Sequence, residues 1–360
     1  MNSSNSSNSS RGAASVLAVV VARIGDTLLA TPALRALRNH AGHLAVLAHP
    51  RRMEVLENLD FIDALGGITK AGAAWKGHWP SRRHDVAICY GRDAALLRYC
   101  MRVSRQTVAF DYPELRGMDG AKIRRVPVPV ESSLHAVRER LLLAEAVGAR
   151  ADDLRLAYVV SNEERVAARA WLAGEIPGYA GGAQRLIGLQ PRSFPTKAHR
   201  DWPVSNFVEL ARLLAHSDPH CRMVLLGDGA AAALAPEFEQ VLPGRCVVAA
   251  GRFSLRQSAA VMSLLSLYVG VDTGPTHIAG ALGIPMVALY HPAYPGRNLQ
   301  PLENPNCIAI AHPATSAGSP MEAHMSGIGV DAVWNAARGL LAGNGPGAGN
   351  WEQKREQTQS

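Results

Sequence analysis

Cysteine is scarce and scattered in this chain, and long apolar runs are missing. The five cysteines, Cys89, Cys100, Cys221, Cys246 and Cys307, include no C-x-x-C pair. Neither a disulfide framework nor a zinc knuckle is therefore indicated. No apolar stretch approaches the roughly 18–20 residues needed to cross a bilayer. The signatures H-E-x-x-H, G-x-S-x-G and G-x-x-x-x-G-K-[ST] are also absent, which removes support for zincin, hydrolase-elbow and P-loop chemistry. No short-period repeat is visible, so solenoids and propellers are excluded. A reduced, cytosolic protein is the plain expectation.

What is present suffices for two domains. The 360 residues are 48% hydrophobic and 19% charged, which supports a sizeable core and excludes wholesale disorder. The net charge of +7 is unevenly spread. Through Arg150, 21 Lys/Arg face 13 Asp/Glu, whereas from Ala151 onward 16 face 17. A basic first half suits an anionic partner such as nucleic acid, a phosphorylated glycolipid or a membrane surface, and equally a merely solvated face.

The Asn/Ser repeats of Met1–Ser10 predict a disordered tail over residues 1–14, and the Gly-rich polar stretch at 344–360 predicts another. Arg11 ahead of the apolar run Val16–Val21 invites a signal-peptide reading. The run is short, however, and leads straight into Arg23-Ile24-Gly25-Asp26, so a buried parallel strand is the better reading. Strands are expected at Leu44–Ala48 and Asp85–Cys89, and helices from Thr31-Pro32 and across Leu134–Val147 and Ser161–Gly174. After the loop at 177–182 the alternation restarts. Strands are expected at Leu186–Leu189, Met223–Leu226, Cys246–Ala249, Leu267–Val271 and Met286–Leu289, and helices at Val204–Ala215, Ser258–Leu265, Pro275–Leu282 and Val330–Leu341. The pattern predicts two doubly wound α/β domains, 15–175 and 176–343, with ligand in the cleft between them.

Three loops follow strands at places where open α/β sheets bind ligands. In Arg23-Ile24-Gly25-Asp26-Thr27, Gly25 permits a sharp turn, and Asp26 either caps a helix or does acid–base work. The loop Pro191–Pro203 gathers Arg192, Ser193, Lys197, His199 and Arg200, cations and a hydroxyl suited to clamping a diphosphate. In Asp272-Thr273-Gly274-Pro275-Thr276-His277, Gly274 allows close backbone approach and the helix start offers N–H groups to phosphate. A single histidine such as His277 is by itself more often structural. Gly227-Asp228-Gly229-Ala230-Ala231-Ala232 matches G-x-G-x-x-A, with Arg252 downstream, but it lies in mid-chain and no acidic residue follows the next strand. Asp228 there suits a ribose with or without a nicotinamide. Trp75, His78, Trp79, Arg82 and Arg83 form either an acceptor-contacting loop or a plain surface cluster, and the cluster is the better reading.

Together the three loops resemble family 9 glycosyltransferases, the ADP-heptose:lipopolysaccharide heptosyltransferases. Residues 23–34, RIGDTLLATPAL, follow R-x-G-D-x-L-x-T-x-P with the Thr one place later, at Thr31; residues 272–283, DTGPTHIAGALG, match D-[ST]-G-P-x-H-x-A-x-A-L-G; and Trp202-Pro203 matches the K-x-W-P region. The likeness runs from about Val16 to Leu341. It implies a GT-B fold, with two Rossmann-like domains facing a central cleft, the first binding acceptor and the second nucleotide-sugar. It implies inverting transfer with no metal and no cofactor besides the sugar donor. Asp26 becomes the general base and Arg200, standing where the family usually has Lys, the diphosphate ligand, with Lys197 as a substitute. Ser193, Asp228, Asp272, Thr273, Gly274 and His277 complete the donor site.

The expected partners are a nucleotide-sugar donor and an anionic lipopolysaccharide acceptor met at the cytosolic face of the inner membrane, and no nucleic acid. Arg51, Arg52, Arg92, Arg124 and Arg125 are the expected acceptor contacts. His291-Pro292-Ala293-Tyr294-Pro295 departs from the family's phenylalanine-glycine-proline stretch and bears on donor choice. The alternatives are a GT-B transferase or epimerase with another nucleotide-sugar, or a catalytically silent GT-B protein that binds glycolipid or nucleotide.

Overall fold

The computed structural model describes residues 14–76, 84–118, 123–130, 134–179, 184–317 and 321–343. The expected tails, the His78, Trp79, Arg82 and Arg83 part of the surface cluster, and part of the 177–182 loop lie outside them. The chain divides into a first unit, up to Met53 and from Leu59 to Asp153, and a second, Glu54–Asn58 and from Leu154 onward.

The first unit contains β1 (Ser15–Val20), α1 (Ile24–Leu28), α2 (Thr31–His40), β2 (His43–Ala48), β3 (Ala64–Gly67) and α3 (Lys70–Trp75). It continues with β4 (His84–Cys89), α4 (Ala94–Val103), β5 (Ser104–Phe110), β6 (Ile123–Val126) and α5 (Ala136–Glu145). All neighbouring strands pair in parallel, in the order β3-β2-β1-β4-β5-β6. All six β1 residues are buried, as expected of a central parallel strand covered on both faces.

The second unit contains α6 (Asn162–Glu175), β7 (Leu186–Gln190), α7 (Val204–Ser217), β8 (Arg222–Leu225), α8 (Gly229–Ala232), α9 (Ala235–Val241) and β9 (Cys246–Val248). Then follow α10 (Leu255–Met262), β10 (Leu267–Val271), α11 (Gly274–Ala281), β11 (Met286–Tyr290), α12 (Gly296–Leu299), β12 (Cys307–Ala311) and α13 (Val330–Leu341). Its parallel sheet runs β12-β11-β10-β7-β8-β9, the same doubly wound order. Trp202, wholly buried, donates its indole N–H to the Ile328 carbonyl at 2.8 Å and packs edge-on to Phe207, fixing the start of α7.

Helix α6 belongs to the second unit, so the division falls at Asp153/Leu154 and not at 175/176. Its residues are committed to the start of α10. Arg256 donates to both Glu164 oxygens at 2.5 and 2.7 Å, Trp171 sits edge-on to Phe253, and Arg252 reaches Glu175 at 2.7 Å. Capping boxes at Ser161–Glu164 and Ser254–Gln257 start α6 and α10.

Candidate active site

In each unit the crossovers run to opposite sides from one pair of adjacent strands, leaving a crevice beyond their carboxyl ends. In the second unit that pair is β7 and β10. The first leads into Pro191–Pro203 and the second into Asp272-Thr273-Gly274, so the sheet order brings two of the expected loops together.

The contact between them is buried. Asp272 accepts a hydrogen bond from Arg200 Nη1 at 2.5 Å, and the two side chains are 4% and 14% exposed. The other Asp272 oxygen lies 3.6 Å from His277 Nε2. Asp272 therefore does not present its carboxylate to a ligand; it holds Arg200. The Arg200 guanidinium lies 3.8 Å from the ring centre of Tyr294, and Lys197 Nζ lies 5.3 Å from the same centre. Arg200 Nε and His277 Nδ1 are buried without hydrogen-bond partners among the described residues, which leaves one N–H donor and one ring nitrogen unused in the crevice.

Thr273 is the N-cap of α11 but makes no side-chain cap bond. Its hydroxyl donates to the Val271 carbonyl at 3.3 Å, and Thr276 donates to the same carbonyl at 2.5 Å while meeting the Tyr268 hydroxyl at 2.8 Å. These bonds lock the loop. The first-turn N–H groups of a helix have no intrahelical acceptor; Pro275 has none to offer and His277 donates to the Thr273 carbonyl, so the amides of Gly274 and Thr276 are the ones available to an anion.

Ser193 departs from its expected phosphate contact. Its hydroxyl sits 2.5 Å from Asp201 Oδ1 and 2.6 Å from the Lys197 carbonyl, and its amide donates to the same Asp201 oxygen at 2.6 Å. The hydroxyl proton is spent folding the loop on itself.

Asp228 caps α8, accepting from the amides of Ala230 and Ala231. Gly227 before it has φ +125°, and a Cβ there would meet Ala231 Cβ at 2.7 Å. The glycine pattern thus serves a tight turn into a four-residue helix after β8, beside Gln190 at the carboxyl end of β7. The turn and the cap by themselves account for the glycines of the dinucleotide-like pattern.

Two histidines extend the aromatic cluster. His199 packs edge-on to His291 with centroids 5.1 Å apart, and its centroid is 6.0 Å from that of Tyr294. Burial, with Arg200 and Lys197 nearby, lowers the His199 pKa below the ordinary value. His291 is fully buried, donates from Nε2 to the Ala323 carbonyl and accepts from the Ala293 amide, and burial lowers its pKa too.

In the first unit the crevice lies between β1 and β4. Asp26 stands inside α1, whose N-cap is Arg23, and makes no cap bond. Gly25 is also within α1 and makes no left-handed turn. Asp26 Oδ1 accepts from Arg140 Nη2 at 2.8 Å, the carboxylate 46% exposed and the arginine 17%. Arg140, on α5, was hidden in a helix legible only by its apolar residues. Tyr90, the residue after β4, carries a buried phenol without a partner among the described residues, and burial raises its pKa. Its only sequence signal is its position at the carboxyl end of a strand.

The five acceptor arginines form no single cluster. Arg52 donates to the Ala22 carbonyl, Arg92 lies over Tyr112, and Arg125 donates to the carbonyls of Leu115 and Met118. Arg51 and Arg124 are exposed. The strand β2 preceding Arg51 and Arg52 is four strands from β6, which carries Arg124 and Arg125, a span of about 19 Å at the usual strand spacing.

Two doubly wound α/β units define a protein of GT-B fold. The profile of glycosyltransferase family 9 (heptosyltransferase) matches residues 93–321, and the chain belongs to this family. Lipooligosaccharide heptosyltransferase 2 of Haemophilus influenzae is 30% identical over 118 residues, 32% of this chain and 33% of that protein. The chain thus matches about a third of that relative's length. The solved glycosyl transferase family 9 protein of Veillonella parvula superposes with a TM-score of 0.77 at 21% identity, covering 91% of this chain and 97% of that one. The ADP-heptose lps heptosyltransferase II of E. coli does so with a TM-score of 0.72 at 19% identity, covering 91% and 98%.

Proposed function

We propose that this protein is an inverting, metal-independent glycosyltransferase that moves heptose from ADP-heptose onto a lipopolysaccharide core or related glycan. In this reading the first unit binds the acceptor and the second the nucleotide-sugar. The observation that carries it is Arg200, held between buried Asp272 and the Tyr294 ring at the β7–β10 crevice, beside α11 and Lys197. Family membership and the name of the E. coli structural relative support the donor.

Asp26 takes the proton from the acceptor hydroxyl as its oxygen attacks the anomeric carbon. The bond from that carbon to the diphosphate oxygen breaks, and the configuration inverts in the single displacement. Charge grows on the departing diphosphate. Lys197, Arg200 and the amino end of α11 neutralise it in place of a metal ion. Arg200 is already compensated by Asp272, so Lys197 supplies the uncompensated charge. Asp228, whose Oδ1 takes both α8 cap bonds, meets the ribose through its other carboxylate oxygen. The acceptor is met at the cytosolic face of the inner membrane. Trp75, 84% exposed, and the nearby cations Lys70 and Lys76 on and beside α3 support that contact.

The test is calorimetric titration with ADP-, GDP-, UDP- and dTDP-linked ligands, followed by transfer from ADP-heptose to a lipopolysaccharide core acceptor. Tight binding of the ADP ligand with transfer to the acceptor is expected. Preference for another nucleotide would overturn the donor, and binding without transfer would favour a silent glycan- or nucleotide-binding protein. The His291–Pro295 segment, with Tyr294 in the crevice, is the observation favouring a different donor.

A further inference from the structure

Tyr294 has no part in the chemistry above, yet two cations of the Pro191–Pro203 loop converge on its ring. The Arg200 guanidinium carbon is 3.8 Å and Lys197 Nζ 5.3 Å from its centre. Arg200 has a second hold, Asp272. Lys197 has none: no carboxylate lies within ion-pair distance of its Nζ among the described residues, and its backbone leaves the helical region at φ −128°, ψ 19°. Two neighbouring cations repel, and a flexible lysine stem costs entropy to hold. The negative face of an aromatic ring offsets both costs, and does so without consuming the positive charge as a carboxylate would. Arginine at position 200 fits this arrangement, because its flat guanidinium stacks on an aromatic ring while still pairing with a carboxylate, which the compact ammonium of lysine does less well.

We propose that Tyr294 is a positioning residue that seats Lys197 and Arg200 for the two phosphates of the donor, acting through its ring and not its hydroxyl. This rests on the donor-site reading above. Tyr294 orders the clamp before the ligand arrives, so the lysine is not immobilised at the expense of binding.

The experiment compares Tyr294→Phe, Tyr294→Leu and a series of ring-fluorinated phenylalanines at position 294, titrated with ADP, inorganic pyrophosphate and adenosine. Tyr294→Phe should bind ADP within about twofold of the unsubstituted protein. Tyr294→Leu should weaken ADP and pyrophosphate about 3- to 30-fold, with adenosine unchanged. Successive fluorination drains the ring's negative face at nearly constant shape, so affinity for ADP should fall stepwise even if the leucine variant does not fold. The double variant Lys197→Ala/Tyr294→Leu should lose less than the product of the two single losses.

Unchanged ADP affinity along the fluorinated series, equal loss of adenosine binding, or a Tyr294→Phe variant as weak as the leucine variant would each overturn the inference alone. Failure of the unsubstituted protein to bind ADP and pyrophosphate would overturn the donor reading and this inference with it.

Discussion

Asp272 and Arg200 are joined at 2.5 Å across 72 residues of sequence, the carboxylate almost fully buried at the end of β10 and the guanidinium nearly so. The pair ties the cationic loop to the strand whose next residues open α11. It makes the basic loop part of the crevice wall.

Breaking that pair from one side should cost more than removing it whole. Asp272→Ala leaves a buried guanidinium without its counter-charge and should destabilise the protein by about 3–5 kcal/mol in urea unfolding. The double variant Asp272→Leu/Arg200→Met should recover much of that loss, while ADP affinity stays low. A double variant no more stable than Asp272→Ala would show that the pair is not the source of the effect.

Asp26 should matter to turnover and hardly to folding. Its carboxylate is half-exposed and bound by one arginine, a pairing of small worth in solvent. Asp26→Asn should lower kcat about 10²- to 10⁴-fold, with ADP affinity and melting temperature close to those of the unsubstituted protein. Normal turnover in this variant would remove Asp26 as the base.

Ser193 and Lys197 should separate loop folding from anion binding. Ser193→Ala loses bonds to Asp201 and the Lys197 carbonyl and should cost about 0.5–2 kcal/mol of stability. Lys197→Ala should leave stability nearly unchanged and weaken pyrophosphate binding. The reverse pattern in paired melting and titration experiments would restore Ser193 as the phosphate ligand.

Mild acid should weaken the second unit. Both His199 and His291 have folded pKa values below the ordinary 6.5. Between the folded and unfolded values the unfolded chain binds more protons, so the stability these groups allow is complete above pH 6.5 and declines as pH falls below it. Urea midpoints measured from about pH 8 to about pH 5.5, above most carboxylate titration, should fall across that window. The slope should be shallower in His199→Asn. A midpoint that rises on acidification would contradict the sign.

The legibility of this protein follows the range of the interactions. β1, β7, β10 and β11 could be read in sequence because a central parallel strand must be apolar on both faces, and every residue of each is buried. The loops at Asp26, Pro191–Pro203 and Asp272–His277 were legible because their residues are contiguous. β3 and β6 were not: they are edge strands of four residues, ALGG and IRRV, partly exposed, with little apolar signal; nor were β12, an apolar but short and partly exposed edge strand, and β5, an inner strand whose polar start, Ser104-Arg105-Gln106, hides its apolar end. The assignment of α6 depended on Arg256, 92 residues away from Glu164.

Composition, strand periodicity and three contiguous motifs by themselves determined two α/β units and their family. Only the tertiary structure decided what each of these side chains touches. It turned Ser193 and Asp228 inward as loop and helix caps, set Asp272 to hold Arg200 and Arg140 to hold Asp26, and put Tyr294 beneath two cations. Those partners lie as far as 114 residues apart, and the order of strands in each sheet, not any local preference of the chain, brings them within hydrogen-bonding distance.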